Sequence, residues 1–392
     1  MAADLTAFDK VLKEVYIPAL RTQFNNSTIL LSSINKSAEY MDGTGAKAIV
    51  PLKLGYSEGI GARAEGSVLP TAGSTRYSRL EIPVRTNYGV IQVTGHAIRQ
   101  TAKDSGAFVR AVDSEMSNMM EGFKRDINRQ LYGDATGAMA TVTDNAVAGA
   151  AVTLTVSSVQ YLRIGMYLDI YETAAQMTDT NAAVITAIDK TAVTITVAVL
   201  DNNLTAANTP TISRYGTKDI ELYGLKNIVN TSNWLLNPAT VPEWQEALAV
   251  EMPGAYTATE VLQHLQECYT NCETNGVAPN LAVTSYAIRD TYANSLTSLR
   301  RIVDKMDLEF GFKGLQFNGL PIVADDQCTS GYLYMLNTKY LAIPQSSEIE
   351  WADEDGKILD KVPSYDAYRA YMYWASNLVT TRRNVHSKIT NW

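Results

Sequence analysis

The sequence predicts an α+β fold, and three observations carry that reading. Lys47–Leu54 (KAIVPLKL) and Arg79–Val93 (RLEIPVRTNYGVIQV) alternate apolar and polar residues as half-buried strands do, on either side of a glycine-broken segment. Directly after them, Phe108, Val109, Val112, Met116, Met119, Met120, Phe123, Ile127 and Leu131 recur at three- and four-residue steps across Asp104–Tyr132, without a proline, as on one face of a long helix. From Ala138 to Arg214 the chain turns rich in Ala, Thr and Val, with short alternating runs spaced as in a small β-barrel or sandwich.

From the start of the chain, Leu5–Gln23 reads as a terminal helix capped by Thr6 and interrupted at Pro18. The strand pair that follows frames a tip carrying Gly55, Gly59, Gly61, Gly66, Pro70 and Gly73, too long for a hairpin turn and too polar to fold alone. Extended as a ribbon of about 20 residues per leg, this arm would reach on the order of 60 Å. An isolated two-stranded ribbon is marginal in water, so the arm is expected to draw its stability from another chain. The helix behind it, capped by Asp104 and Ser105 and stopped at Gly133-Asp134, should run for about 28 residues, or ~42 Å.

Val152–Val156, Met166–Tyr171, Ala183–Ile188 and Ala192–Val197 are the expected strands of an inserted β-domain. Thr257 and Glu260 then form a capping box ahead of Val261, Leu262, Leu265, Cys268 and Cys272, predicting a helix over Thr259–Thr274 that ends at Gly276. A strand at Asn280–Thr284, a helix near Ser285–Leu296, a hairpin over Phe312–Val323 turning at Asn318-Gly319, and a strand region over Gly331–Ile343 follow. Glu348–Trp351 and Lys357–Leu359 flank an acidic turn, Asp353-Glu354-Asp355-Gly356, before the long aromatic strand Tyr368–Thr380.

At 392 residues the chain has length for two or three domains. Its net charge of -8 argues against gripping phosphate backbones, which needs clustered Lys and Arg. Three cysteines, Cys268, Cys272 and Cys328, make a disulfide framework unexpected and fit a reducing compartment. Met1–Lys10 carries acids and lacks an apolar core segment, and no apolar run approaches ~18 residues, so neither a signal peptide nor a membrane is expected.

Candidate chemistry is sparse. His264, Cys268 and Cys272 stand at four-residue spacing, but on the stripe of Val261 and Leu265 and without a second ligand pair, so an apolar packing role is favoured over metal. Asp353, Glu354 and Asp355 read as solvated turn acids, His96 and His386 as isolated, and Gly55–Gly61 (GYSEGIG) as lacking the Lys-Ser/Thr and helix of a phosphate loop. Tyr368, Tyr371, Tyr373 and Trp374 suit sheet packing rather than base stacking, since no basic groove accompanies them. No catalytic residue, cofactor or metal is expected, and the chain is not read as an enzyme.

The order of limb, β arm, long helix, mixed domain and terminal β elements resembles the major capsid protein of tailed bacteriophages, across nearly the whole chain. The likeness is strongest in LEIPVRTNYGVIQVTGHAIRQTA (80–102), FKRDINRQLYGDATG (123–137) and FNGLPIVADDQCTSGYLYMLNTKYLAI (317–343). The resemblance implies an N-arm (1–45), an E-loop (46–96), a P-domain spine helix (97–137), an A-domain (217–344) and P-domain β elements with the C-terminus (345–392), with 138–216 as an inserted β-domain of the kind some members carry. It further implies pentamers and hexamers of the chain, tiling an icosahedral shell around double-stranded DNA that is enclosed without sequence-specific binding. Portal, scaffold and decoration proteins would be partners, and the virion its location, with the host cytoplasm during assembly. Some relatives weld the shell through an E-loop lysine. Residues 55–87 contain none, so no such weld is expected; no long charged helical propeptide precedes the N-arm, so any scaffold is expected to be a separate protein, or absent. Arg63, Arg76 and Arg79 are candidate inter-subunit contacts to Asp353, Glu354 and Asp355 of a neighbour. An encapsulin shell, which carries enzyme cargo, is the alternative. An extracellular adhesin would explain the Thr-rich β-domain but not the long helix.

Overall fold

The computed structural model describes residues 28–42, 45–97, 105–172, 175–177, 183–232, 234–236, 246–254, 256–298, 306–307, 313–353 and 358–392. The expected helix at Leu5–Gln23, the cap residue Asp104, and Glu354 and Asp355 lie outside them. Two compact units divide the chain: Met1–Arg129 with Ile228–Trp392, and Gln130–Asn227.

Among the described residues, the first unit begins with helix α1 (Ile29–Ser33) and strands β1 (Asn35–Ser37), β2 (Lys47–Gly55), β3 (Arg76–Pro83) and β4 (Arg85–Thr94), followed by the 26-residue helix α2 (Ser105–Gln130). β2 and β3 form the antiparallel ladder of the arm, with Val50 opposite Leu80. Its inner face, Ala48, Val50, Leu52, Leu80 and Ile82, is buried within the chain itself. This corrects the expectation that the whole arm depends on another chain: the apolar alternation that predicts the strands also anchors them at home.

A second correction concerns Arg79–Val93, expected as one strand. The run breaks at Val84, and β4 leaves the arm to pair along the full length of a distant strand, Ala367–Ser376. Buried positions fall on even numbers in β3 (Leu80, Ile82) and on odd numbers in β4 (Gly89, Ile91, Val93), so the two halves face different cores. Pro83, which has no N–H to offer a ladder, ends the first half. α2 packs down on β4 at Gly89, where a Cβ would stand 3.3 Å from Phe123 Cδ2 and 2.9 Å from Met372 Cγ. Phe123 and Ile127 are buried, while Met116, Met119 and Met120 are half-buried. Near its end, Asn128 clips two segments together: its Oδ1 accepts from Leu31 N at 3.0 Å and its Nδ2 donates to Asp325 Oδ2 at 2.9 Å.

The second unit is a small barrel. Its strands are β5 (Ala138–Thr141), β6 (Gly149–Thr155), β7 (Leu168–Glu172), β8 (Ala175–Gln176), β9 (Ile185–Asp189), β10 (Thr194–Leu200) and β11 (Thr211–Arg214). One sheet runs β6-β10-β9 and the other β5-β11-β7-β8. Bridges Val142–Val156 and Tyr167–Val184 join their edges, closing the ring around Leu154, Ile170, Ile185, Ile195, Val197 and Ile212. Entry and exit lie side by side, since Leu225 N donates to Leu131 O at 2.7 Å and Lys226 Nζ meets Asp134 Oδ2 at 2.8 Å.

Returning to the first unit, the chain closes helix α3 (Leu225–Ile228) and continues through β12 (Leu248–Glu251), α4 (Ala258–Thr274), β13 (Leu281–Thr284), α5 (Tyr286–Ser298), β14 (Met306–Asp307), β15 (Lys313–Phe317), β16 (Leu320–Ala324), β17 (Leu333–Leu336), β18 (Leu341–Pro344), β19 (Glu350–Trp351), β20 (Asp360–Lys361), β21 (Ala367–Ser376), β22 (Val379–Thr380) and β23 (Ser387–Thr390). The capping box at the start of α4 forms in both directions, with Glu260 N donating to Thr257 Oγ1 and Thr257 N to Glu260 Oε2. α4 and α5 share a core with a seven-stranded sheet, β12-β23-β17-β13-β16-β15-β14. β15 and β16 turn at Asn318 (φ 50°) and Gly319 (φ 81°), the left-handed pair a two-residue hairpin needs. β19 and β20 do not pair with one another as a hairpin. Both lie along the edge of β21 away from β4, opposite Met372–Tyr373 and Tyr368–Arg369. The expected strand at Lys357–Leu359 therefore falls at Asp360–Lys361.

Candidate assembly interface

The arm changes character beyond its buried ladder. At Leu54 the register slips, from Lys53 opposite Tyr77 to Gly55 opposite Arg76, a bulge that bends the ribbon where inner-face burial ends. Residues 56–75 then form the tip without helix or strand. Its legs are nonetheless close. A Cβ on Gly73 would lie 2.8 Å from Glu58 N, and one on Gly59 3.1 Å from Gly73 N, so only glycine lets the legs meet there. At the far end Ser67 N donates to Ala64 O at 3.1 Å around Gly66 (φ 78°).

What this shape presents is apolar. Tyr56, Ile60, Val68, Leu69 and Tyr77 are between 74% and 88% exposed. A single chain gains nothing by ordering such side chains in water, and clustered exposure of this kind marks an interaction surface. In the sequence Tyr56, Ile60, Val68 and Leu69 follow no period, so alternation does not single them out. A second exposed apolar surface is the outer face of β4, where Tyr88 and Val90 stand beside half-buried Tyr373 and Tyr371 of β21.

The charged residues expected at this interface divide. Arg63 turns back on the tip, donating from Nε to Val68 O at 3.1 Å and from Nη1 to Ala62 O at 3.2 Å. Arg79 pairs with Glu81 of its own strand at 2.8 Å, and Glu81 also accepts from Lys47 Nζ at 2.7 Å. The Lys47 hydrogen bond, followed by the Arg79 charge, holds the Glu81 carboxyl below its ordinary pKa. Arg76 is exposed at the ladder's end opposite Gly55, and Asp353 is exposed just past β19.

Elsewhere the titratable groups are packed rather than poised. His264 pairs with Glu267 at 3.2 Å, whereas Cys268 and Cys272 point inward, the latter 3.5 Å from Ser387 Oγ. Burial pushes the Cys268 thiol up to about 12, so no thiolate forms there near neutrality. His386 is fully enclosed. Its Nδ1 accepts from Asn337 N at 3.3 Å, which leaves the proton on Nε2 to be donated to Thr380 Oγ1 at 3.2 Å, and burial lowers its pKa to about 3. Among the described residues no group of three or more His, Cys, Asp or Glu could hold a metal ion, and no helix is long and apolar enough to cross a membrane.

No family model matches this sequence, and no curated protein matches it. Solved structures do. A subunit of the cyanophage A-1(L) capsid aligns over 96% of this chain and 95% of its own, with a TM-score of 0.55 at 13% identity. The capsid of Myoviridae phage XM1 aligns over 98% of both chains, with a TM-score of 0.51 at 8% identity. The SrpI encapsulin of Synechococcus elongatus, solved as a holo complex, aligns over 97% of this chain and 94% of its own, with a TM-score of 0.50 at 10% identity. The chain therefore has the fold shared by phage capsid and encapsulin subunits.

Proposed function

We propose that this protein is a capsid-shell subunit: the major capsid protein of a tailed bacteriophage, assembling as pentamers and hexamers into an icosahedral head around double-stranded DNA. The observation that carries the reading is the arm tip, where Tyr56, Ile60, Val68 and Leu69 are held in water at the end of an arm whose base is buried in its own chain. The likeness in fold to the capsid of cyanophage A-1(L), over nearly the full length of both chains, supports it. On this reading 1–45 is the N-arm, 46–96 the E-loop, 97–137 the spine helix, 217–344 the A-domain and 345–392 the closing β elements, with 138–216 an insertion. Its role is structural, without catalysis or cofactor. A net charge of -8 suits a wall that must not trap the DNA it encloses. Portal, scaffold and decoration proteins would be its partners, the virion its place, and the host cytoplasm its site of assembly.

Arg63 and Arg79 are engaged within their own chain, so an ion pair to Asp353, Glu354 or Asp355 of a neighbour would come from Arg76 and set register at ~0.2–1 kcal/mol. Apolar burial at the tip supplies the larger share. The alternative, an encapsulin-type shell around protein cargo, is favoured by the likeness to the SrpI encapsulin. Electron microscopy of the protein expressed alone tests the class: closed particles, or rings of five and six, are expected, and a monodisperse monomer at high concentration overturns it. Nuclease-protected DNA inside particles from infected cells separates a phage head from a cargo shell.

A further inference from the structure

The charged residues within 56–75 are Glu58, Arg63 and Glu65, one cation against two acids. The cation is spent inside the tip. Arg63 reaches from Ala62 O on the outgoing leg to Val68 O on the returning one, and its guanidinium lies across Gly61, where a Cβ would stand 3.5 Å from Nη1 and 3.8 Å from Pro70 Cγ. At those distances a Cβ at position 61 would be in ordinary van der Waals contact, so the guanidinium packs against the backbone there. Val68 and Leu69, 88% and 80% exposed, sit directly on the leg that the guanidinium holds.

We infer that Arg63 is a positioning residue that staples the tip into a preformed apolar knob, and that the knob of Ile60, Val68 and Leu69 seats in an apolar recess on a second copy of this chain. The inference rests on the shell reading and gives its contact a chemistry. Copies carrying -8 each repel at long range, and a tip with more acid than base gains no attraction from an acidic neighbour. Burial of apolar surface is what remains to hold the copies, and a knob ordered in advance spends less of it on ordering. An ion-pair contact would weaken with salt. An apolar seat between acidic copies holds or strengthens, because screening removes the repulsion.

Two variants separate the staple from the charge. Arg63→Lys keeps the charge but lacks the planar fork that spans two carbonyls, and Arg63→Gln removes both. Thermolysin cleavage within 56–75 is measured on the unassembled subunit, where it reads tip order alone. The assembly threshold is then measured by light scattering from low salt to about 1 M NaCl. Both variants are expected to be cut on the order of fivefold faster than wild type, as for one lost hydrogen bond. Both should assemble only at higher concentration, and wild-type assembly should not fall with salt. Arg63→Lys behaving as wild type while Arg63→Gln fails, or shells that dissolve with rising salt, overturns the inference in favour of an ionic contact. A wild-type protein that forms no particle at any salt sinks the shell reading, and the seat with it, whereas the protease comparison judges the staple by itself.

Discussion

Replacing Val68 and Leu69 together by serine separates folding from assembly. Both side chains are at least 80% exposed, so the subunit loses almost no burial of its own, and its stability should move by no more than ~0.5 kcal/mol. In a shell the same side chains would be covered. Full burial of a Val and a Leu contributes ~1.5–3 kcal/mol each, and half of that for the pair is still about 1.5–3 kcal/mol per tip. With one tip per subunit and roughly 1.4 kcal/mol per tenfold in concentration, the assembly threshold should rise about 10- to 150-fold. Light scattering against protein concentration gives the threshold, and a thermal melt of the unassembled subunit gives the stability. Assembly at the wild-type threshold would refute the apolar tip as the contact. A melt lowered by several degrees would show instead that these side chains are buried in their own chain.

Asn128→Ala removes an acceptor from Leu31 N–H and a donor from the buried Asp325 carboxylate, and at ~1–3 kcal/mol for each group it should destabilise the subunit by about 2–5 kcal/mol in urea unfolding. A loss under about 1 kcal/mol would mean that the clip is dispensable. Thr257→Ala removes the hydroxyl half of the capping box, the acceptor for Glu260 N, and should cost ~1 kcal/mol, while Thr257→Ser should retain most of it; equal losses in the two variants would remove the hydroxyl from the explanation. For His386 the folded pKa is lowered to about 3 from 6.5, so as pH falls the unfolded chain takes the proton first. Its contribution is complete above pH 6.5 and is lost as pH drops from there toward about 3, at up to ~1.4 kcal/mol per pH unit. Stability of wild type minus His386→Asn, followed across that window, should show this slope, and parallel curves would contradict it.

Signals that act within a few residues were legible in the sequence. The capping box at Thr257, the Asn318-Gly319 turn and the alternating runs of the barrel each declare a local geometry, and each appears where it was expected. Partner choice was not legible in the same way. Asp353–Gly356 has the composition of a hairpin turn, yet composition does not say which edge the flanking strands will find, and both found β21. The split at Val84 left a trace that alternation alone hides. Apolar positions change parity between Ile82 and Ile91, and in a strand a one-residue slip exchanges the faces. A strand that must bury opposite faces at its two ends has to leave one sheet for another, and Pro83 marks the place. The tip was the least legible part, because Tyr56, Ile60, Val68 and Leu69 obey no period and their exposure is a property of the folded chain.

On the proposed shell reading, the division of the arm at Leu54 lets a subunit reach its neighbours intact. Val50, Leu52, Leu80 and Ile82, buried at home at up to ~1.5–3 kcal/mol apiece before entropy, fix the ladder without help from another copy. Had the whole arm waited for a neighbour, each contact would have had to order both legs, at ~1–2 kcal/mol per backbone residue, before any surface was covered. With the ladder already formed, and the tip pinched at Gly59 and Gly73, what remains to be ordered on docking is small. Folding and assembly then become separable steps. A subunit blocked at the tip should be soluble, folded and monomeric rather than misfolded, which is the state the serine pair is designed to capture.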